Sequence, residues 1–271
     1  MDEPKPLVRE YKVVRGSPDK VMVPGFPPVF SFSEALYDIG VKLARPATVT
    51  DLMQAFLDGK ALGFEGHGYT TISGIAYANE KLARFKIIPQ SSDLINLREL
   101  GLYTNIATAT RRDTDISTYY EGMLAQEFLR KDLIIGRQLT EREALTDPVW
   151  RAAVPDQDLL EKFVYEAFKQ AREEGRTTAM GIYLPDPDHP EDRPFYRPKE
   201  FKKGIPVIRP LSMQNTDLVD DSVMTRMCQM IAIIEGTREE VEKHEQVIEA
   251  IDRSTIVDPN RRPLFGEHFP D

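Results

Sequence analysis

The stretch Leu184-Pro-Asp-Pro-Asp-His-Pro-Glu-Asp-Arg-Pro-Phe-Tyr-Arg-Pro-Lys-Glu-Phe-Lys-Lys-Gly-Ile-Pro-Val-Ile-Arg-Pro210 holds seven of the chain's twenty prolines. Proline fixes its own φ, has no backbone N–H to donate, and pushes the residue before it out of the helical region. The run therefore reads as neither helix nor central strand. It predicts an extended excursion of about twenty-five residues, against roughly four to six for an ordinary connection in a compact domain. Connections of that length are usually functional or unstructured. This one carries Phe195, Tyr196 and Phe201 among a cluster of cations. It reads as a surface arm over residues 184–211 that docks on a partner.

Outward from the arm, the flanking sequence reads as helical. Asp156 stands before Leu160, Phe163, Val164, Ala167, Phe168 and Ala171 at helical spacing, with Gly175 as the stop. Residues 177–184 follow as a short strand. Residues 141–153 read as helix interrupted by Pro148, and Tyr120, Leu124 and Phe128 line one face of a further helix ending before Gly136. Beyond the arm, Val223, Met224, Met227, Cys228, Ile231 and Ile234 form one stripe closed by Gly236. Thr237-Arg-Glu-Glu240 then boxes a second helix with Val241, His244, Ile248 and Ile251 on its face. The pair predicts a helical hairpin, followed by an extended tail at 258–271.

The first 112 residues read as mixed. Residues 7–14 alternate as a strand, Arg15-Gly-Ser-Pro-Asp19 supplies a turn, and 20–23 return as its partner. Ser31 with Glu34, and Thr48 with Asp51, box two short helices that end at Pro46 and Gly59. Residues 69–78 and 82–88 form a hairpin about Asn79-Glu80, and 102–110 a further strand. The expected class is α+β. Its first region, 1–112, is built of hairpins and short helices; its second, 113–271, is mainly helical and carries the arm and the tail.

Composition excludes several functions. A net charge of −9 is the wrong sign for general nucleic-acid binding. The single cysteine, Cys228, forms neither an internal disulfide nor a multi-cysteine zinc site. The first residues lack an apolar run, and the longest apolar stretch, 227–234, is too short to cross a bilayer. The expected setting is intracellular or cytoplasmic, without a membrane; a virion is one variant of it.

The most site-like segment is Gly63-Phe-Glu-Gly-His-Gly-Tyr-Thr-Thr71, in which glycines bracket Glu65 and His67 and Tyr69 follows. Its backbone can take positive φ and approach a ligand, and the imidazole titrates near neutral pH. The spacing is neither a dinucleotide fingerprint nor a P-loop. Asp186, Asp188, His189, Glu191 and Asp192 offer metal-ligand chemistry, but the prolines stiffen the run and Arg197 stands where an EF-hand needs glutamate. No metal and no cofactor is expected. Downstream, six cations face five anions between Asp186 and Arg209, so the field nearly cancels. The aromatic–arginine mixture favours a protein partner over nucleic acid.

Two functions of different class follow. The favoured one is a non-catalytic structural or interaction protein, a subunit of a homo- or hetero-oligomeric assembly such as a virion or shell. It engages neighbours through Phe195, Tyr196, Arg197, Phe201, Leu264, Phe265 and Phe269. The alternative is a hydrolase or lyase built around Glu65, His67 and Tyr69. A nucleic-acid-binding accessory role is the weakest of the readings.

Overall fold

A computed structural model describes residues 7–15, 32–60, 68–78, 83–91, 94, 120, 122–184, 207–220 and 229–256. Their strands form one mixed, nine-stranded sheet. In chain order these are β1 (Leu7–Arg15), β2 (Arg45–Pro46), β3 (Gly68–Tyr77), β4 (Arg84–Ile88), β5 (Glu127–Leu129), β6 (Ile182–Tyr183), β7 (Val207–Gln214), β8 (Asp217–Asp220) and β9 (Gln229–Thr237). The main path is β1-β9-β3-β7-β8-β6, with β2 beside β9 and β4 and β5 continuing from β3. β3 is parallel to β9, and β6 to β8; the remaining pairs are antiparallel.

Strand alternation gives the sheet two apolar faces, each covered by helices. Tyr69, Ile75, Tyr77, Phe85, Leu211, Met213, Ile231 and Ile233 face one core. Over it lie α2 (Val49–Leu57), α3 (Glu141–Thr146), α4 (Pro148–Ala153) and α5 (Gln157–Glu173). Phe56 of α2 meets Phe163 of α5 edge-on, with ring centroids 5.1 Å apart. On the other face Ile72, Ala76, Ile208, Met230 and Ala232 pack with Ala35 and Ile39 of α1 (Phe32–Val41). There too Ile234 meets Val241 and Ile248 of α6 (Arg238–Ile256).

Local sequence rules place most helix starts. Thr48 and Asp51 form a reciprocal box at α2, as expected, and Thr140 with Glu143 does the same at α3. Asp147 caps α4 with Pro148 at its first turn, so the proline starts a helix instead of merely breaking one. Asp156 caps α5, and Gly175, at φ 74°, follows its end. Thr237 and Glu240 exchange hydrogen bonds at the start of α6. Ser31 lies outside the described residues.

The mainly helical C-terminal half is overturned. Five strands of the sheet, β5 to β9, come from that half. The stripe through Ile231 and Ile234 belongs to strand β9, whose Gln229–Ile234 segment is buried on both faces. A strand buried on both sides shows a continuous apolar run, which periodicity alone does not separate from a buried helix. Phe128 stands in β5 and Leu124 is fully exposed, so the predicted helix does not continue through residues 123–129, although Tyr120 and Gly122 are helical. The expected hairpin of β3 and β4 is present.

The arm is also corrected at its far end. Val207–Gln214 is an internal strand, with β3 on one side and β8 on the other, and Pro210 lies within it. The proline is accommodated because the β3–β7 register shifts between Thr70 and Gly74. Around that shift, side chains and distant strands take the backbone bonds. Thr71 Oγ1 donates to the Leu211 carbonyl at 2.7 Å. The Ile72 N–H reaches the Ala47 carbonyl, and the Ser91 N–H reaches that of Ile72. Gly74 sits where a Cβ would meet Leu94 Cδ1 at 3.3 Å and the Arg209 carbonyl at 3.4 Å. Residues 185–206 and the tail lie outside the described residues.

Candidate functional site

Of the predicted catalytic trio, the structure places one member. Tyr69 opens β3 opposite Met213 and Gln229, 2% exposed, with its ring in the core beneath α2. Glu65 and His67 lie outside the described residues, as do Phe195, Tyr196, Arg197, Phe201, Leu264, Phe265 and Phe269. Met213 and Met230 are fully buried, one in the core on each face of the sheet. His244 on α6 is half-buried, its Nε2 against the Lys42 carbonyl oxygen.

The structure brings together charges that the sequence reading kept apart. Asp220 ends β8 and is fully buried. Arg209, among the cations of the predicted arm, lies inside β7 at 1% exposure. Arg209 Nη1 stands 3.6 Å from Asp220 Oδ2, and the Tyr77 hydroxyl donates to the same oxygen at 2.7 Å. Three neighbouring strands are thus tied by one carboxylate. A buried charge is tolerated where it is paired and hydrogen-bonded, so this cluster fixes how β3, β7 and β8 sit together.

A second network sits where β1 and β9 meet α2. Arg45 grips Asp51 with both guanidinium nitrogens, at 2.6 and 2.9 Å, and reaches Glu235 at 3.0 Å. Arg9 Nε stands 2.6 Å from Glu235 Oε1. Burial pushes the Asp51 carboxyl up, but hydrogen bonds from Arg45 and from the Thr48 amide and hydroxyl outweigh it and hold it below the usual range. The bond to Asp51 in turn raises the Arg45 guanidinium further above its ordinary value. A third cluster lies across β4 and β5. Lys86 Nζ donates to the carbonyls of Tyr120 and Met123 at 2.7 and 3.0 Å and sits 4.7 Å over the Tyr120 ring. Burial and the hydrogen bond to Glu127 push the Tyr120 phenol up.

Each of these networks joins secondary-structure elements to one another. The open feature is β1. It pairs with β9 along its nine residues, and among the described residues no strand lies on its other side. Leu7 is 80% exposed and Val13 43% exposed along one flank of that edge. The sequence reading gave β1 residues 20–23 as its partner, and these lie outside the described residues. Alternation revealed the strand, but only the sheet order reveals that it is an edge.

No protein-family model matches the chain, and no curated protein matches its sequence. One solved structure, from work on the accommodation of massive sequence variation in Nanoarchaeota by the C-type lectin fold, is 14% identical to it. That likeness covers 86% of this chain and 98% of the other, at a TM-score of 0.45. A likeness at that level identifies neither the fold nor the function of this chain. Among the described residues no helix is long and apolar enough to cross a membrane, and no cluster of three or more His, Cys, Asp or Glu side chains could hold a metal ion.

Proposed function

We propose that this chain is a non-catalytic interaction protein, a subunit of a homo- or hetero-oligomeric assembly. The observation that carries the reading is β1, a nine-residue strand at the edge of the described sheet, with Leu7 and Val13 exposed on its flank. An edge strand presents unpaired N–H and C=O groups to any strand that can approach, and proteins ordinarily shorten, cover or interrupt such edges. This one is longer than the roughly five to six residues of a common strand and contains no proline. The buried ion pair and the phenol–carboxylate bond in the sheet support the same reading, because they stiffen the platform from which the edge projects. The aromatic residues of the arm and tail, Phe195, Tyr196, Phe201, Leu264, Phe265 and Phe269, with Arg197, are proposed as additional anchors.

The test is the solution mass of the full chain across a concentration series. A discrete species heavier than 30.9 kDa supports the reading. A mass fixed at 30.9 kDa at every concentration rejects its homo-oligomeric form.

A further inference from the structure

The geometry points to a specific partner for this edge: a second copy of the same chain, joined antiparallel through β1 about a two-fold axis at Tyr11. This inference rests on the assembly reading above and names its partner. The strand reads Leu7-Val-Arg-Glu-Tyr-Lys-Val-Val-Arg15. An isologous interface must be complementary to itself, and this sequence is so about its centre. With the axis on Tyr11, Glu10 stands opposite Lys12 of the second copy and Val8 opposite its Val14. Both pairs then occur twice. On the other face Tyr11 meets its own symmetry mate and Arg9 lies beside Val13. Opposite charges, β-branched pairs and aromatic pairs are the cross-strand combinations that stabilise antiparallel ladders.

Charge selects this register over its neighbours. An axis one residue earlier sets Glu10 against Glu10 and Val8 against Lys12. An axis one residue later sets Lys12 against Lys12. Each alternative places like charges directly opposite, which is destabilising. Within the subunit, Lys12 now bridges Glu245 at 3.0 Å and Glu10 lies 3.9 Å from Lys60, with all four side chains about a third or more exposed. Surface pairs of that kind contribute little, so they compete weakly with partners across the axis. The product is one sheet continued through both subunits, with its helix layers in register on each face.

The experiment is sedimentation or light scattering of the full-length chain as wild type, Glu10→Lys, Lys12→Glu and the double exchange, with circular dichroism to confirm folding. The expected wild-type species is a dimer. Each single exchange sets like charges opposite at two places and weakens the dimer by about thirtyfold. The double exchange restores it. Mixing the two single variants gives a heterodimer, because a doubly cationic strand then faces a doubly anionic one. A dimer that ignores all of these exchanges overturns pairing through β1 while leaving the assembly reading in place. A chain that stays monomeric at every concentration also overturns it.

Discussion

The Tyr77 hydroxyl donates to Asp220 Oδ2 at 2.7 Å, linking residues 143 positions apart. Tyr77 ends β3, Asp220 ends β8, and β7 lies between them, so the bond spans a strand to join two others. Both side chains are fully buried, and Arg209 of the intervening strand stands beside the same carboxylate. A contact of this sort couples the early hairpin to the late one.

Tyr77→Phe removes the donor while keeping the ring. The expected cost is about 1–3 kcal/mol, the desolvation penalty of a buried acceptor deprived of a partner. The single tryptophan, Trp150, is fully buried and donates to the Met180 carbonyl at 3.1 Å. Its fluorescence in a urea titration reports the change, and an unaltered midpoint would show that the bond contributes nothing.

Asp51→Asn tests the network beneath β1. The neutral isostere loses the bidentate pairing with Arg45, at an expected cost of about 1–3 kcal/mol near neutral pH. The folded Asp51 pKa is depressed, so its contribution is present above the unfolded value of about 3.9 and is lost as pH falls through the folded value. The gap between wild type and variant should therefore close below about pH 4. A gap that stays constant down to acid unfolding would contradict the assignment.

Asp147 gives the opposite sign. Its side chain caps α4, accepting from the Val149 and Trp150 amides at 2.8 and 3.0 Å, yet burial holds its carboxyl above the usual range. A raised folded pKa means that the contribution is full below the unfolded value of about 3.9 and diminishes as pH rises through the folded one. Asp147→Asn keeps a capping oxygen without the charge. It should match or exceed wild-type stability at pH 7, whereas Asp147→Ala should lose about 1 kcal/mol. Thermal unfolding of both variants at two pH values checks the order.

Thr71→Val probes the register shift beside Pro210. It preserves shape but deletes the hydroxyl that donates to the Leu211 carbonyl and accepts from the Ser73 amide at 3.1 Å. A loss of about 1–3 kcal/mol is expected. A neutral result in chemical unfolding would mean that other groups satisfy that stretch of backbone.

Sequence by itself determined what neighbouring residues settle among themselves. The Thr48–Asp51 box, the Asp156 cap with Gly175 beyond the helix, the Thr237–Glu240 exchange and the β3–β4 hairpin are each contained within one helix or one hairpin, where spacing and side-chain chemistry suffice. Tertiary structure decided the rest. Residues 229–237 became a strand because β1, β2 and β3 supply its backbone partners and both faces of its Gln229–Ile234 segment are buried, which erases the period that distinguishes strand from helix. Pro210 entered an internal strand because Thr71, in a different part of the chain, takes up hydrogen bonding beside it. Arg209 reads as a cation of the arm, yet long-range pairing places it 3.6 Å from Asp220 in the sheet interior. Burial and strand order are properties of contacts between distant segments, and no local pattern of residues records them.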